Sequence, residues 1–417
     1  MKHFITIIMG AYLVGLNLTA GAVAMARSTA WPVTNCGSSD ALAVVAADKL
    51  PALLGKPIQK ITLLHYRDQQ LSPITVQIDQ RDADGRYLLD EVSASGNPIP
   101  VLKPDDEIVF RLADYAARRP PAVANTEQVS LIEIEVNDAQ HGQTGWVYAG
   151  LSDSTENVPT RKLIRYGPTT DSVETGTYNI GFSRQHPFLI DSFHWRLATN
   201  RWSPNVLDAM KIRHQGSMFG FISFRRTAND YSSRLTRVKT GPLRVIRRTE
   251  NRVRILWKLK TPALYIDYVM MPDSFIMDTV VDIPFNLGLF FSDVETLTTV
   301  DWRNAPGLPE LTIRSPGTSS SLVVDGQMSD EEAQFNTVSD TRLSVHSAWG
   351  SVFLNLDIPD DFPIQPWLYL NDQADVADPP ENQAGQFGNV GYRTTGWENI
   401  DTEVHHLKVT TCMTAHH

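Results

Sequence analysis

NRVRILWKLK, residues 251–260, decides how this chain folds. Val253, Ile255, Trp257 and Leu259 alternate with Arg252, Arg254, Lys258 and Lys260, and only Leu256 breaks the pattern. Successive side chains point to opposite faces of a β-strand, so this segment has an apolar face and a cationic face. TPALYIDYVMMPD and SFIMDTVVDIPF follow, with breaks at Pro262 and at Pro272-Asp273, which predicts a meander of antiparallel strands. LSVHSAWGSVFLNLDIP and EVHHLKVTTCM continue the strand habit, while residues 317–321 and 372–391 are polar loops.

The first half of the chain has the same character. ITLLHYRD, ITVQID, EIVFRLA, SLIEIEV and GWVYAGL are short, rich in β-branched residues and separated by turn chemistry. In SLIEIEV, Ile132, Ile134 and Val136 alternate with Glu133 and Glu135, the pattern of a half-buried strand. Residues 40–56 are expected to form one short helix, limited by Pro51. The expected architecture is mainly β: a smaller N-terminal β domain over 27–151, a linker over 152–175 and a large antiparallel β-sandwich over 176–417.

Residues 1–26 combine Lys2, a long apolar stretch, and the small-residue sites Ala22-Val23-Ala24 and Ala24-Met25-Ala26. This is the construction of a secretory signal peptide, with an uncleaved anchor as the alternative. No second membrane-length apolar run follows, so a periplasmic or extracellular protein without a span after cleavage is expected. The two cysteines, Cys36 and Cys412, read as one disulfide tying the ends together, worth about 4–5 kcal/mol in the chain-entropy model. The alternative is two unrelated thiols.

The net charge of −10 is unevenly spread: residues 211–260 hold fourteen Lys or Arg against Asp230 and Glu250, leaving −22 elsewhere. A chain this acidic overall is not a general nucleic-acid binder. The basic segment is either a binding face or is neutralised internally. As a face, Arg244, Arg247, Arg252, Arg254 and Lys258 would suit an acidic polysaccharide, because guanidinium forks pair with carboxylates or sulfates. As an internal feature, it would pair across strands with Asp267, Asp278 and Asp282. Six tryptophans, Trp202, Trp257, Trp302, Trp349, Trp367 and Trp397, supply either core or sugar-stacking rings.

The strand rhythm across 176–412, including GPLRVIRR at 241–248, resembles the supersandwich of galactose-mutarotase-like proteins. That resemblance implies a fold used by sugar epimerases and several polysaccharide lyases. A lyase needs a group that neutralises the uronate and a base for the C5 proton, and His186, His194, Tyr178 and Arg196 are the candidates. Their alternative is ordinary sheet residues. QIDQRDADGRY followed by DDEIVFRLAD resembles secreted proteins without an assigned reaction.

Within residues 80–91, Asp82, Asp84, Gly85 and Glu91 occupy positions 3, 5, 6 and 12 of an EF-type calcium loop, with Gln80 where Asp is usual. The competing reading is a hairpin turn at Asp84-Gly85, with Tyr87 and Leu89 on one face and Arg86 and Leu88 on the other. The functional expectation is therefore carbohydrate interaction, most plausibly with an acidic polysaccharide. It competes with a non-enzymatic structural or assembly role in the cell envelope, docked to an acidic protein.

Overall fold

The computed structural model describes residues 24–26, 40–89, 99–120, 131–138, 142–152, 160–256, 259–318, 320–376 and 387–416. Residues 1–23 of the expected signal segment lie outside these, and Ala24–Ala26 forms a short strand parallel to Ile134–Val136. No helix among the described residues is long and apolar enough to cross a membrane.

The chain is mainly β, in antiparallel sheets. Strand Val245–Leu256 shows why. Asn251 and Val253 are buried and Ile255 is half-buried, whereas Arg252 and Arg254 are exposed, the two-faced pattern that the alternation predicts. Its neighbours build the largest sheet, running Tyr231–Thr240, Val245–Leu256, Leu264–Met270, Ser274–Asp282, Val404–Ala415, Gly350–Asp357, Arg342–His346, Thr312–Arg314 and Leu322–Val323, with Leu259–Lys260 pairing back onto Val245–Leu256. A second sheet orders Ile222–Arg226, Leu207–Met218, Phe291–Trp302, Asn389–Thr395 and Gln365–Asn371.

These two sheets bury their apolar faces together, through Met210, Ile212, Leu368 and Val390 from one and Ile266, Met277, Leu356 and Val409 from the other. Each strand offers every second residue to this layer, so the outer faces are free to be polar. A four-stranded sheet, Ile190–Trp195, Tyr178–Phe182, Ser172–Thr175 and Ile164–Gly167, joins the same core with Tyr178, Ile180, Phe193 and Trp195. Strands therefore begin at Ile164 inside the expected 152–175 linker, because Val173 and Ile164 find buried partners; residues 153–159 lie outside the described residues.

The N-terminal strands form their own core of Val45, Leu63, Ile108, Phe110, Ile134 and Val147. The expected helix over 40–56 is instead strand Leu42–Ala46, paired with Glu107–Arg111, followed by 3-10 turns at Ala47–Lys49 and Pro51–Leu53. Pairing to an existing strand satisfies the backbone of the Val44-Val45 segment, and Pro51 stops a helix from propagating. This unit meets the sandwich through Tyr87 and Leu89, which pack on Ile246, Val269 and Ile276 of the large sheet.

Candidate functional site

The basic strand is largely neutralised within the fold. Arg248 donates two hydrogen bonds of 2.7 Å to Asp267, its cross-strand partner. Arg247 shares the parity of Val245 and Val253, so it points inward; it is 0 % exposed, bonded to Asp171 and to Pro187 O, with its guanidinium 3.9 Å over the Phe182 ring. Arg244, 2 % exposed, is clamped by Asp79 and Glu107. Burial opposes ionisation of Asp79, but Arg244 and then Lys239 outweigh it and hold the carboxyl below its ordinary range. Arg244 and Arg247 are therefore corrected from ligand-binding residues to internal ion-pair residues, since no polymer reaches them. Arg252 and Arg254 are at the surface and pair with Glu250 and Asp230; Lys258 lies outside the described residues.

The lyase candidates are not assembled into one site. Tyr178 is fully buried, and its hydroxyl donates to Met271 O at 2.6 Å, so it is a core residue rather than a base. Burial pushes its hydroxyl far above the ordinary tyrosine range. His194 sits on the opposite face of its strand pair, with Nδ1 2.9 Å from Ser203 O. Arg196 stacks over Trp202 at 3.9 Å and faces Glu174 at 3.6 Å. His186 belongs to the turn that Leu189 N closes onto His186 O.

Residues 80–88 close a tight turn. Asp82 Oδ1 accepts from Asp84 N at 3.0 Å and Arg86 N at 2.9 Å, Gly85 takes φ +76°, and Leu88 N donates to Gln80 O. Tyr87 and Leu89 share one face, as the hairpin reading expects, and that face is the buried one, while Glu91 lies outside the described residues. Among the described residues no group of three or more His, Cys, Asp or Glu side chains converges as a metal site. Cys412 is buried and is not a free thiol, and its expected partner Cys36 lies outside the described residues.

A polar site does form, on the outer face of the five-stranded sheet. Met210, Ile212 and His214 face the other sheet, which puts Lys211, Arg213 and Gln215 on the outer side of the strand, the first two buried there and Gln215 exposed. Register then lines up Arg213, Leu297, Arg393 and Trp367 in one row across four strands. The neighbouring rows are Lys211, Thr299, Gly391 and Tyr369, and Gln215 with Glu295. The result is a groove of about 390 Å³ whose polar walls are Arg213, Arg225, Arg393, Glu295, Asn371 and Asn389, with Tyr369 beside them.

The charged groups of its lining are the guanidinium groups of Arg213, Arg225 and Arg393 and the carboxylate of Glu295. Glu295 accepts from Gln215 and lies 3.9 Å from Arg393, whose guanidinium is 5.8 Å from the Trp367 ring. Gly391 keeps the floor low: a Cβ there would lie 2.2 Å from Thr298 O. At one end Lys211 and Asp301, both buried, pair at 2.6 Å. Nearby Asp208 is buried with no hydrogen-bond partner for either oxygen among the described residues. Burial, and then the charge of Asp301, push its carboxyl up to about 6. This set can bind hydroxyls and anionic groups, and Asp208 can hold a proton near neutrality.

Sequence reasoning missed this groove, although Lys211 and Arg213 fall inside the basic segment that it singled out. The available signal was alternation in KIRHQ and GYRTT, which puts the charged residues opposite the apolar ones.

No protein-family model and no curated protein matches the chain. Among solved structures, an α-mannosidase from Enterococcus faecalis V583 aligns with 90 % of this chain and 41 % of its own, at 10 % identity and a TM-score of 0.43. A glycosyl hydrolase family 38 protein from Enterococcus faecalis aligns with 91 % of this chain and 43 % of its own, at 10 % identity and a TM-score of 0.40. The protein HI1317 aligns with 58 % of this chain and 91 % of its own, at 9 % identity and a TM-score of 0.33. The chain spans about two fifths of the length of the two hydrolase chains, and likeness at these scores says nothing of its chemistry.

Proposed function

We propose that the chain binds an acidic carbohydrate in the groove on the five-stranded sheet, on the periplasmic or extracellular side of the cell. The observation that carries the reading is the convergence of the accessible Arg225 and Arg393 with the amide of Asn371 and the ring of Tyr369, beside the buried Arg213 and Asn389. Guanidinium forks bind carboxylates or sulfates, amides serve hydroxyls of either sense, and an aromatic ring covers the apolar face of a sugar. The two-layer β architecture is compatible with the supersandwich resemblance of 176–412. The site differs from the basic strand face expected from sequence.

The test is titration with polygalacturonate and with neutral dextran at two salt concentrations. Polygalacturonate binding that weakens with salt, falls about tenfold in Arg393→Ala and stays within twofold in Arg252→Ala supports the groove. No binding to either polymer, or equal losses in both variants, overturns it. Loss confined to Arg252→Ala and Arg254→Ala puts the glycan on the basic strand face expected from sequence, and no binding to either polymer favours the competing reading, an envelope assembly protein with an acidic partner. Absorbance at 235 nm during the titration reports whether unsaturated products form. Repeating the titration with calcium and with chelator tests Asp82, Asp84 and Glu91. Asp82 already caps its own turn, so no shift is expected.

A further inference from the structure

The sandwich is not filled at one end. A cavity of about 200 Å³ lies between the two sheets, reaching Ile212, Ile266, Met277, Leu356, Tyr392 and Val409 in its depth. Its wall is mostly apolar, and the imidazole in its lining is internally satisfied: His214 Nδ1 lies 2.8 Å from Thr296 Oγ1 and Nε2 lies 2.5 Å from the Tyr231 hydroxyl. An apolar cavity of about 150 Å³ already stays dry and accepts a benzene-sized guest, so this one has room for a larger apolar group.

The mouth differs from the interior. Phe224, Ile255, Phe285, Leu287 and Phe291 frame it, each half-buried, and beyond them two loops hold large apolar side chains in water. One loop is the hairpin tip between Leu207–Met218 and Ile222–Arg226, with Phe219 56 % and Phe221 78 % exposed. The other follows Leu287–Leu289, with Leu289 72 % and Phe290 41 % exposed. They form one patch, since Phe219 N donates to Phe290 O at 2.8 Å and the two rings meet edge-on at 6.2 Å. Phe219 also takes φ +54° beside Gly220 at +75°, a turn position that favours Asn or Gly. A bulky ring kept there, in strain and in water, is explained by contact with something apolar.

Cations flank the same opening. Arg226 and Arg254 line it. Arg226 gives its donors to the carbonyls of Arg225, Arg254 and Ile255, and the acid that faces both lining arginines is Asp230. Asp282, also at the opening, is paired with Arg86. An amphipathic guest with an apolar tail and an anionic head matches this order of surfaces.

We propose that the cavity binds a single acyl chain with its anionic head beside Arg226 and Arg254, and that the Phe219–Phe221 and Leu289–Phe290 loops dip into a bilayer to collect it. Short exposed aromatic tips with nearby cations seat at an anionic lipid interface, where the apolar cavity mouth then opens onto acyl tails rather than water. This site is separate from the groove, whose lining is on the other face of the same sheet.

The test uses the full chain and a fluorescent fatty acid, dansyl-undecanoate. Saturable binding of one probe per chain is expected, displaced by decanoate and weakened at least tenfold by Thr298→Phe or Thr279→Phe, either of which fills the cavity. Circular dichroism and melting identify which plug variant is folded. Arg254→Gln should weaken decanoate more than decanol. Phe221→Ser with Leu289→Ser should keep probe affinity within twofold but lose sedimentation with phosphatidylglycerol–phosphatidylcholine vesicles. Absence of saturable probe binding by the unaltered chain, or undiminished binding by a folded plug variant, overturns the acyl site. Probe binding without vesicle sedimentation by the unaltered chain overturns the bilayer as its source.

Discussion

His214 is a half-buried imidazole between Tyr231 and Thr296 in the cavity wall, and desolvation depresses its pKa to about 4 from an ordinary 6.5. An unfolded chain takes up this proton as the pH falls through 6.5, while the folded chain resists until about 4, so folding stability is lost across that window and no further below it. At about 1.4 kcal/mol per pKa unit the full loss is about 3 kcal/mol, and about 2 kcal/mol of it has occurred by pH 5. Asp208 and Asp372, both raised to about 6, work in the opposite sense, because the folded chain binds their protons first. The useful quantity is therefore a difference. Urea denaturation of the unaltered chain and of His214→Gln at pH 7 and pH 5 should show the unaltered chain losing about 2 kcal/mol more than the variant. Equal losses in the two proteins would refute a neutral, desolvated His214.

Three further outcomes follow from the packing. Arg244→Met leaves the buried Asp79 with the Lys239 ammonium and the Gln77 amide and should cost about 3 kcal/mol in urea denaturation, with part recovered in Arg244→Met/Asp79→Asn. Gly391→Ala should cost about 1–3 kcal/mol and lower glycan affinity, because its Cβ would collide with the backbone at Thr298; an unchanged melting temperature would remove the close approach. For the proposed Cys36–Cys412 disulfide, thiol titration under denaturation should find two thiols only after reduction, and Cys412→Ser should cost about 2–5 kcal/mol; two reactive thiols without reduction would refute the bridge.

The fold class was legible because its signal is local. Period-two alternation in NRVRI and SLIEIEV needs no knowledge of the rest of the chain, and Ile134, Val136 and Val253 are buried where the alternation puts them. Residues 42–46 show the limit, where an alanine-rich segment that reads as helical is taken into a sheet by pairing with Glu107–Arg111. Propensities there differ by less than a row of backbone hydrogen bonds decides.

By itself the sequence determined that the chain is mainly β and that the strand at 251–256 has an apolar and a cationic face, while it left residues 80–91 open between a calcium loop and a hairpin turn. Tertiary structure alone decided which charges are spent inside. Arg244 and Arg247 read like Arg252 and Arg254 in the sequence, yet the first two are sealed against Asp79 and Asp171 and the last two reach water. It also brought Arg213, Arg225 and Arg393 together from three separate strands, and left the aromatic mouth open. A charge is costly to bury without a partner, and only the pairing of distant strands supplies the partner.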